Sequence, residues 1–306
     1  MPIPLGTFLP SFRAGKKTEL QSHGGIAPPC DNKRDAVPNI IKSDLIGVNM
    51  SNYIEILKNK LENREKIHST MLCHVGLTLL PRVFKAGGLD MLVMDLEHGS
   101  FNPENIGDFC MACHYAELPV IVRVQDCEYH CISKPIDMGA DGVLIPRTET
   151  MEQVETAINS LRFYPYGKKG VGGRALLRYD GEAQDIYKLN ENRLLFLQIE
   201  SKQGTDLLDE ILTKYGDQVA GIIIGPNDMG VSMGTGLDMK HPDLIANIER
   251  TVEICQKHNK TIGMFMVNEQ EAETWYKRGM NLFWVSTEVG MMGAELRKIA
   301  KAIKEF

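Results

Sequence analysis

The chain has 306 residues, 43% of them hydrophobic, and a formal net charge of −6. That length can bury a large core in one domain or two. The lysines and arginines are dispersed, which argues against a nucleic-acid or anionic-membrane binder, because both need a concentrated basic face. No apolar run reaches the ~20 residues that a membrane span requires. The seven cysteines fit reduced thiols, and we expect a cytoplasmic protein that binds neither nucleic acid nor membrane.

Residues 1–49 are rich in proline, glycine and charged residues and show no sustained helical or strand period. Such a segment cannot bury enough apolar surface to offset its ordering entropy, so we expect an irregular N-terminal extension. A helical pattern then begins at Met50, with apolar Tyr53, Ile54, Leu57 and Leu61. The sequence therefore predicts a compact domain over residues 50–306.

Eight short apolar runs follow, separated by helix-like segments. Near-continuous apolar strands with helical spacers indicate a parallel sheet that is covered on both faces. Eight strand–helix units in about 250 residues favour a (β/α)8 TIM barrel over a doubly wound open sheet. The predicted strands are 71–76, 91–96, 119–124, 142–147, 194–200, 219–226, 261–266 and 282–288.

Titratable and polar side chains stand where several of these runs end. Catalytic groups of a TIM barrel come from the C-terminal ends of its strands, which all open on one face. The side chains at these ends are Asp95, Glu97, His98, Arg123, Gln198, Glu200 and Asp228. The barrel prediction therefore brings them together in one shared site.

Two of these carboxylates, Glu200 and Asp228, follow neighbouring strands. Such a pair suits a hard divalent cation such as Mg²⁺ or Mn²⁺, which takes oxygen ligands and keeps positions for substrate and water. The alternative for each carboxylate is to solvate a loop or to pair with an arginine. The predicted strands contain no lysine, which favours metal-assisted chemistry over a Schiff base.

The remaining strand-end residues suggest acid–base and electrostatic roles. His98 is the natural general base because its ordinary pKa lies nearest neutrality, and Asp95 could hold its ring. Arg123 on a buried strand needs an anionic partner. That partner is either a substrate carboxylate or enolate, or a neighbouring structural carboxylate.

Six motifs between roughly residues 70 and 290 carry a family resemblance: DLEHG, VIVRV, PIDMGADGVLIPR, RFYPYGKKGVGG, LQIE and IGPNDMG. In this order and spacing the chain resembles the HpcH/HpaI family of metal-dependent pyruvate aldolases, of the 4-hydroxy-2-oxoheptanedioate aldolase type. The resemblance implies a (β/α)8 barrel of the phosphoenolpyruvate/pyruvate-type superfamily. It also implies a homo-oligomer, a hexamer or trimer of dimers, whose last helix is exchanged between neighbouring subunits.

The resemblance also implies a role for each matching position. Glu200 and Asp228 resemble the ligands of a divalent metal, Mg²⁺, Mn²⁺ or Co²⁺. His98 resembles the catalytic base, Asp95 its orienting carboxylate and Arg123 the group that stabilises the transition state. Asp137 resembles an aspartate that reaches the histidine of an adjacent subunit. The pyruvate-binding elements correspond to Gln198, Gly225, Pro226 and Asn227.

The implied activity is a divalent-metal aldolase or lyase that cleaves or forms a carbon–carbon bond in 4-hydroxy-2-oxo acids through a pyruvate enolate. Its partners would be a small 2-oxo acid and an aldehyde. The chain departs from the family pattern at residues 227–230, at Lys169 and Gly173, and in the stretches YPYGKK and RALLRYDGE. These departures keep open a related 2-oxo acid enzyme, either an oxaloacetate decarboxylase or a biosynthetic enzyme that traps pyruvate enolate. A less favoured alternative of another class is a catalytically silent barrel.

Overall fold

The computed structural model describes residues 52–173 and 185–305. Within them, eight parallel strands close into a barrel in chain order, and β8 pairs with β1. The predicted (β/α)8 barrel is therefore confirmed. The expected irregular extension over residues 1–49, the domain start at residue 50 and the RALLRYDGE segment all lie outside the described residues.

The barrel strands are short and alternate with helices in the described ranges. The strands are β1 Ile67–Leu72, β2 Met91–Asp95, β3 Val120–Arg123, β4 Gly142–Ile145, β5 Leu194–Ile199, β6 Gly221–Ile224, β7 Thr261–Met266 and β8 Leu282–Thr287. The helices are α1 Asn52–Glu62, α2 Leu80–Ala86, α3 Pro103–Tyr115, α4 Tyr129–Met138, α5 Met151–Leu161, α6 Ile186–Asn192, α7 Lys202–Tyr215, α8 Pro226–Ser232, α9 Pro242–Lys257, α10 Glu269–Lys277 and α11 Glu288–Ile303. None of these helices combines the length and the apolar character needed to span a bilayer.

The strand residues divide between two apolar layers because successive side chains of a strand point to opposite faces. On β2, Met91 and Val93 belong to the cluster inside the barrel. Leu92 and Met94 belong to the larger cluster between the strands and the helices. Both layers are buried, which explains why the strands read as continuous apolar runs rather than as an alternating pattern.

Helix α1 lies across the N-terminal ends of the strands. Its Leu57 and Leu61 are buried in the barrel-interior cluster. The Thr261 hydroxyl at the start of β7 donates to the Leu61 carbonyl at 2.8 Å, and the Tyr53 hydroxyl donates to Asp141 at 3.3 Å, just before β4. The helix thus closes one end of the barrel and leaves the C-terminal ends of the strands as the open face.

Strand β1 lies earlier in the chain than the predicted run 71–76. The strand includes Ser69 and Thr70, which interrupt the apolar pattern and yet are almost fully buried. The Thr70 hydroxyl donates to the carbonyls of Val285 and Ser286 on β8, at 3.1 and 3.0 Å. The buried Thr70 hydroxyl is thereby satisfied, whereas the buried Ser69 Oγ has no hydrogen-bond partner among the described residues. The strand thus extends through residues that the sequence pattern excludes.

Candidate active site

Alternate side chains of each strand point into the barrel, and on β2, β3 and β5 those nearest the open face are polar. On β2, Asp95 continues the inward row of Met91 and Val93, and on β3 Arg123 continues the row of Ile121. The inward row of β5 is extended by two polar residues, Gln198 and Glu200. The sequence therefore places these side chains over the core by strand parity alone.

Arg123 is held by two carboxylates of β2 and its following loop. Its Nε and Nη2 donate to the two oxygens of Asp95, both at 2.8 Å, and Nη1 lies 3.3 Å from Glu97 Oε2. Burial would lower the pKa of Arg123, but the Asp95 hydrogen bonds and the nearby carboxylates raise it. The partner of this arginine is therefore structural, and the pairing keeps its guanidinium charged and fixed in orientation.

Glu97 is a member of this site that the sequence analysis placed at a strand end without giving it a role. Its carboxylate lies between Arg123 and Arg147, with Oε1 3.7 Å from Arg147 Nε. Burial raises the pKa of Glu97, while the two arginines oppose that rise. Its position two residues after Asp95 was the available signal, since residues two apart share a face of a strand.

His98 follows at the outer edge of the site, with its side chain 69% exposed. Its imidazole Nε2 lies 3.9 Å from Glu97 Oε1. The Asp95 carboxylate accepts from the backbone N–H of His98 at 3.4 Å and from that of Glu97 at 3.0 Å. Asp95 thus orients the loop that carries the histidine, and the contact runs through the backbone rather than the imidazole.

Glu200 is buried beside Gln198 and the glycine that precedes α8. Gln198 Nε2 donates to Glu200 Oε2 at 2.5 Å, and the backbone N–H of Arg147 donates to Oε1 at 2.7 Å. A Cβ on Gly225 would lie 2.3 Å from Glu200 Oε2, so only glycine allows this close approach. The buried Gln198 Oε1 has no hydrogen-bond partner in the described part of the chain.

Pro226, Asn227 and Asp228 form the first turn of α8, directly after Gly225. Asn227 and Asp228 are exposed, and Pro226 is buried. Burial raises the pKa of Glu200 to about 7; the Arg147 and Gln198 hydrogen bonds oppose this rise, and the negative charges of Asp228 and Glu97 add to it. Glu200 is therefore a carboxylate in a site that favours added positive charge.

This donor set fits a divalent cation. Two carboxylates, one of them desolvated and under the negative field of the other, supply the oxygen ligands that such an ion prefers. No group of three or more His, Cys, Asp or Glu residues that could hold a metal occurs among residues 52–173 and 185–305. The protein would thus provide an incomplete ligand shell, as Mg²⁺ sites do when substrate and water supply the other positions.

Asp137 lies apart from this site within the chain. It belongs to the last turn of α4, which runs back toward the N-terminal ends of the strands. Lys169 Nζ donates to its carboxylate at 2.5 Å, and the Lys169 side chain is 1% exposed. Gly173 is packed against the same residue, because a Cβ there would lie 2.5 Å from Asp137 Cβ. The structure therefore joins Asp137 to the glycine-rich loop and not to His98.

Known proteins share both the sequence and the fold. A profile of the HpcH/HpaI aldolase/citrate lyase family matches residues 78–293. A 5-keto-4-deoxy-D-glucarate aldolase of Escherichia coli O157:H7 (strain EC4115 / EHEC) is 31% identical over 227 residues, which are 73% of this chain and 87% of the relative.

Two solved structures have the same architecture. The HpcH/HpaI aldolase from Desulfitobacterium hafniense DCB-2 superposes with a TM-score of 0.74 at 25% identity, over 82% of this chain and 97% of that one. A HpcH/HpaI aldolase/citrate lyase family protein from Burkholderia cenocepacia J2315 has the same TM-score and identity, over 81% and 99%. The chain therefore belongs to the HpcH/HpaI aldolase/citrate lyase family, a family of enzymes that cleave carbon–carbon bonds.

Proposed function

We propose that the chain is a divalent-metal-dependent aldolase, a carbon–carbon lyase that acts on 4-hydroxy-2-oxo acids through a pyruvate enolate. The observation that carries the proposal is the meeting of the Asp95–Arg123 pair with the buried Glu200 at the open end of the barrel. A guanidinium held in a fixed orientation stabilises the negative charge that develops as an enolate forms. The buried carboxylate of Glu200 lies at the same site.

The 2-oxo acid half of the substrate would bind over β5 and α8. Gln198 Oε1, which has no hydrogen-bond partner among residues 52–173 and 185–305, and the backbone after Gly225 line this region. Glu200 and Asp228 would hold the cation, and the desolvation of Glu200 supports this assignment. When bound, a divalent cation supplies Lewis-acid polarisation of the 2-oxo group.

In the cleavage direction, His98 would accept the proton of the 4-hydroxyl group as general base. The C3–C4 bond then breaks, the aldehyde carbonyl forms at C4, and the bonding electron pair becomes the enolate of pyruvate. Arg123 would share the negative charge that develops there, since Asp95 and Glu97 fix its orientation. Return of a proton to C3 completes the pyruvate methyl group.

We further propose that the protein is a homo-oligomer in which α11 packs on a neighbouring subunit. Its exposed apolar residues recur every three or four positions and form one stripe along the helix. They are Val289, Met292, Leu296, Ile299 and Ile303. Asp137 would act on a neighbour's His98, which agrees with its place at the far end of its own barrel.

The proposal is tested by deuterium exchange into the methyl group of pyruvate, followed by proton NMR in D₂O. We expect exchange with Mg²⁺, Mn²⁺ or Co²⁺ and none with chelator, and we expect the loss of exchange in Glu200→Ala. The experiment needs no aldehyde, so it reports on enolate formation alone. Absence of exchange with every metal would reject the proposed function.

Metal-dependent exchange is shared by oxaloacetate decarboxylation and by enolate-trapping synthesis. Incubation with oxaloacetate, and separately with pyruvate plus a panel of aldehydes, distinguishes an aldolase from a decarboxylase. An aldolase forms 4-hydroxy-2-oxo acids from the panel, whereas a decarboxylase releases CO₂ and forms no such product.

A further inference from the structure

Arg147 lies at the open face of the barrel, two residues after β4. Its backbone adopts a left-handed conformation, φ 47°, which is uncommon for a residue that carries a side chain. In this conformation its N–H donates to Glu200 Oε1 at 2.7 Å. The same turn that supports Glu200 therefore directs the Arg147 side chain over the site.

The side chain of Arg147 is 55% exposed, whereas that of Arg123 is 9% exposed. Its Nε lies 3.7 Å from Glu97 Oε1, and its Nη2 donates to the Gln125 carbonyl at 3.4 Å. Both contacts are long, and Glu97 is shared with the closer Arg123. A guanidinium has five N–H donors in a planar fork, so Arg147 keeps donors available for a ligand at the mouth.

We propose that Arg147 is a specificity-determining residue that binds a carboxylate on the aldehyde half of the substrate. The inference rests on the proposed function, in which the 2-oxo acid occupies the deeper region beside Gln198 and Glu200. The aldehyde half then projects toward the mouth, where Arg147 is the exposed cation that follows β4. A planar guanidinium matches a carboxylate through two parallel hydrogen bonds.

The experiment compares acceptors of equal chain length with and without a carboxylate: 4-oxobutanoate with butanal, and glyoxylate with glycolaldehyde. For each, kcat/KM of aldol addition to pyruvate is measured in the wild type, in Arg147→Gln and in Arg147→Lys. We expect the ratio of anionic to neutral kcat/KM to fall about tenfold in Arg147→Gln, the loss of one charge-assisted pair. Arg147→Lys keeps the charge, so the ratio of anionic to neutral kcat/KM should fall less than in Arg147→Gln.

Arg82→Gln removes an exposed arginine from α2 and is the matched control, for which the ratio should equal that of the wild type. An equal loss with anionic and neutral acceptors in Arg147→Gln would overturn the inference, as would an unchanged ratio. Equal loss would mean that Arg147 serves only to support Glu97 and Glu200.

A binding measurement separates this inference from the proposed function. Calorimetric titration with 4-hydroxybutanoate and with 1-butanol requires no turnover. We expect the Kd of 4-hydroxybutanoate to rise about tenfold in Arg147→Gln, with no such change for Arg82→Gln. If the wild type fails to exchange pyruvate deuterium, the proposed function is rejected, and the titration still decides whether Arg147 binds carboxylates. Equal Kd values in wild type and Arg147→Gln would overturn the inference.

Discussion

Among the contacts of the site, the Asp95–Arg123 ion pair should be the most sensitive to a single substitution. Asp95→Asn keeps the shape but places an amide nitrogen against the guanidinium, leaving Arg123 buried with Glu97 alone at 3.3 Å. Breaking a buried pair on one side should lower the free energy of unfolding by about 3 kcal/mol. Misplacement of Arg123 should slow pyruvate deuterium exchange about 100-fold.

Urea denaturation and the NMR exchange assay measure these two effects. Asp243→Asn is the matched control, because its side chain is 77% exposed, and its unfolding free energy should change by less than about 0.5 kcal/mol. Wild-type stability and exchange in Asp95→Asn would show that Glu97 alone suffices to position Arg123.

His114, at the far end of the barrel, should make the stability of the protein depend on pH. His114 Nε2 lies 3.4 Å from Asp141 Oδ1, an ionic contact without the geometry of a directed hydrogen bond. Burial lowers the pKa of His114, but the Asp141 carboxylate outweighs it, and the pKa is raised. The stabilisation is thus fully present below the unfolded-state pKa of about 6.5 and is lost as pH rises through the raised value.

We therefore expect the free energy of unfolding to fall more between pH 6 and pH 8 in the wild type than in His114→Gln. Urea denaturation at the two pH values gives this difference, and the variant serves as the reference for all other titrating groups. An equal fall in both proteins would mean that the pKa of His114 is not raised by folding.

Much of the candidate site could be predicted from single residues because strand parity and strand ends are visible in the sequence. Asp95, Arg123 and Glu200 follow inward rows and were all expected at the open face. The contacts between them could not be predicted. Which carboxylate pairs with Arg123, and the role of Arg147, depend on distances between residues that lie far apart in the chain.

At the scale of elements, β2 and β5 agreed with the apolar runs to within a residue or so, while β1 did not. The difference lies in the buried polar residues Ser69 and Thr70, of which Thr70 donates to carbonyl acceptors supplied by β8. No local sequence pattern predicts such partners, since β8 lies more than 200 residues later in the chain. Strand bounds are thus predictable where both faces are apolar and uncertain where a distant strand satisfies polar side chains.

The junction of β8 and α11 offers a prediction at this scale. Glu288 is the buried residue of α11, and its carboxylate accepts from the backbone N–H groups of three successive residues after β1. The distances are 3.0 Å to Cys73, 2.5 Å to His74 and 3.0 Å to Val75. Because Cys73 Sγ lies 3.9 Å from Asp95 Oδ2, this loop is continuous with the site.

Glu288→Ala would leave these donors without their acceptor and should lower the free energy of unfolding by about 3 kcal/mol. Glu295→Ala, on the same helix but exposed, should cost less than about 0.5 kcal/mol. Chemical denaturation of the wild type and the two variants measures these changes in the free energy of unfolding. Equal small effects would mean that the loop after β1 is held by other contacts.

At the scale of the whole molecule, the barrel was predictable because eight covered strands with helical spacers leave few other arrangements. The oligomeric state, unlike the barrel, could not be predicted from the number and order of the strands and helices. A stripe of exposed apolar residues on the last helix becomes visible only once the fold shows that nothing in the described chain covers it. Single scattered apolar residues need no partner, but a continuous stripe does.

The apolar stripe of α11 can be tested by substitution at its centre. Leu296 stands at its centre with 67% of its surface exposed. Leu296→Asp places a charge where a second copy would bury the leucine, and should shift the protein from oligomer to monomer in light scattering coupled to size exclusion. Lys301→Asp changes the charge on the opposite side of α11 and should leave the oligomer intact. A wild-type monomer, or equal behaviour of both variants, would remove α11 as the assembly element and with it the proposed route by which Asp137 reaches a neighbour's site.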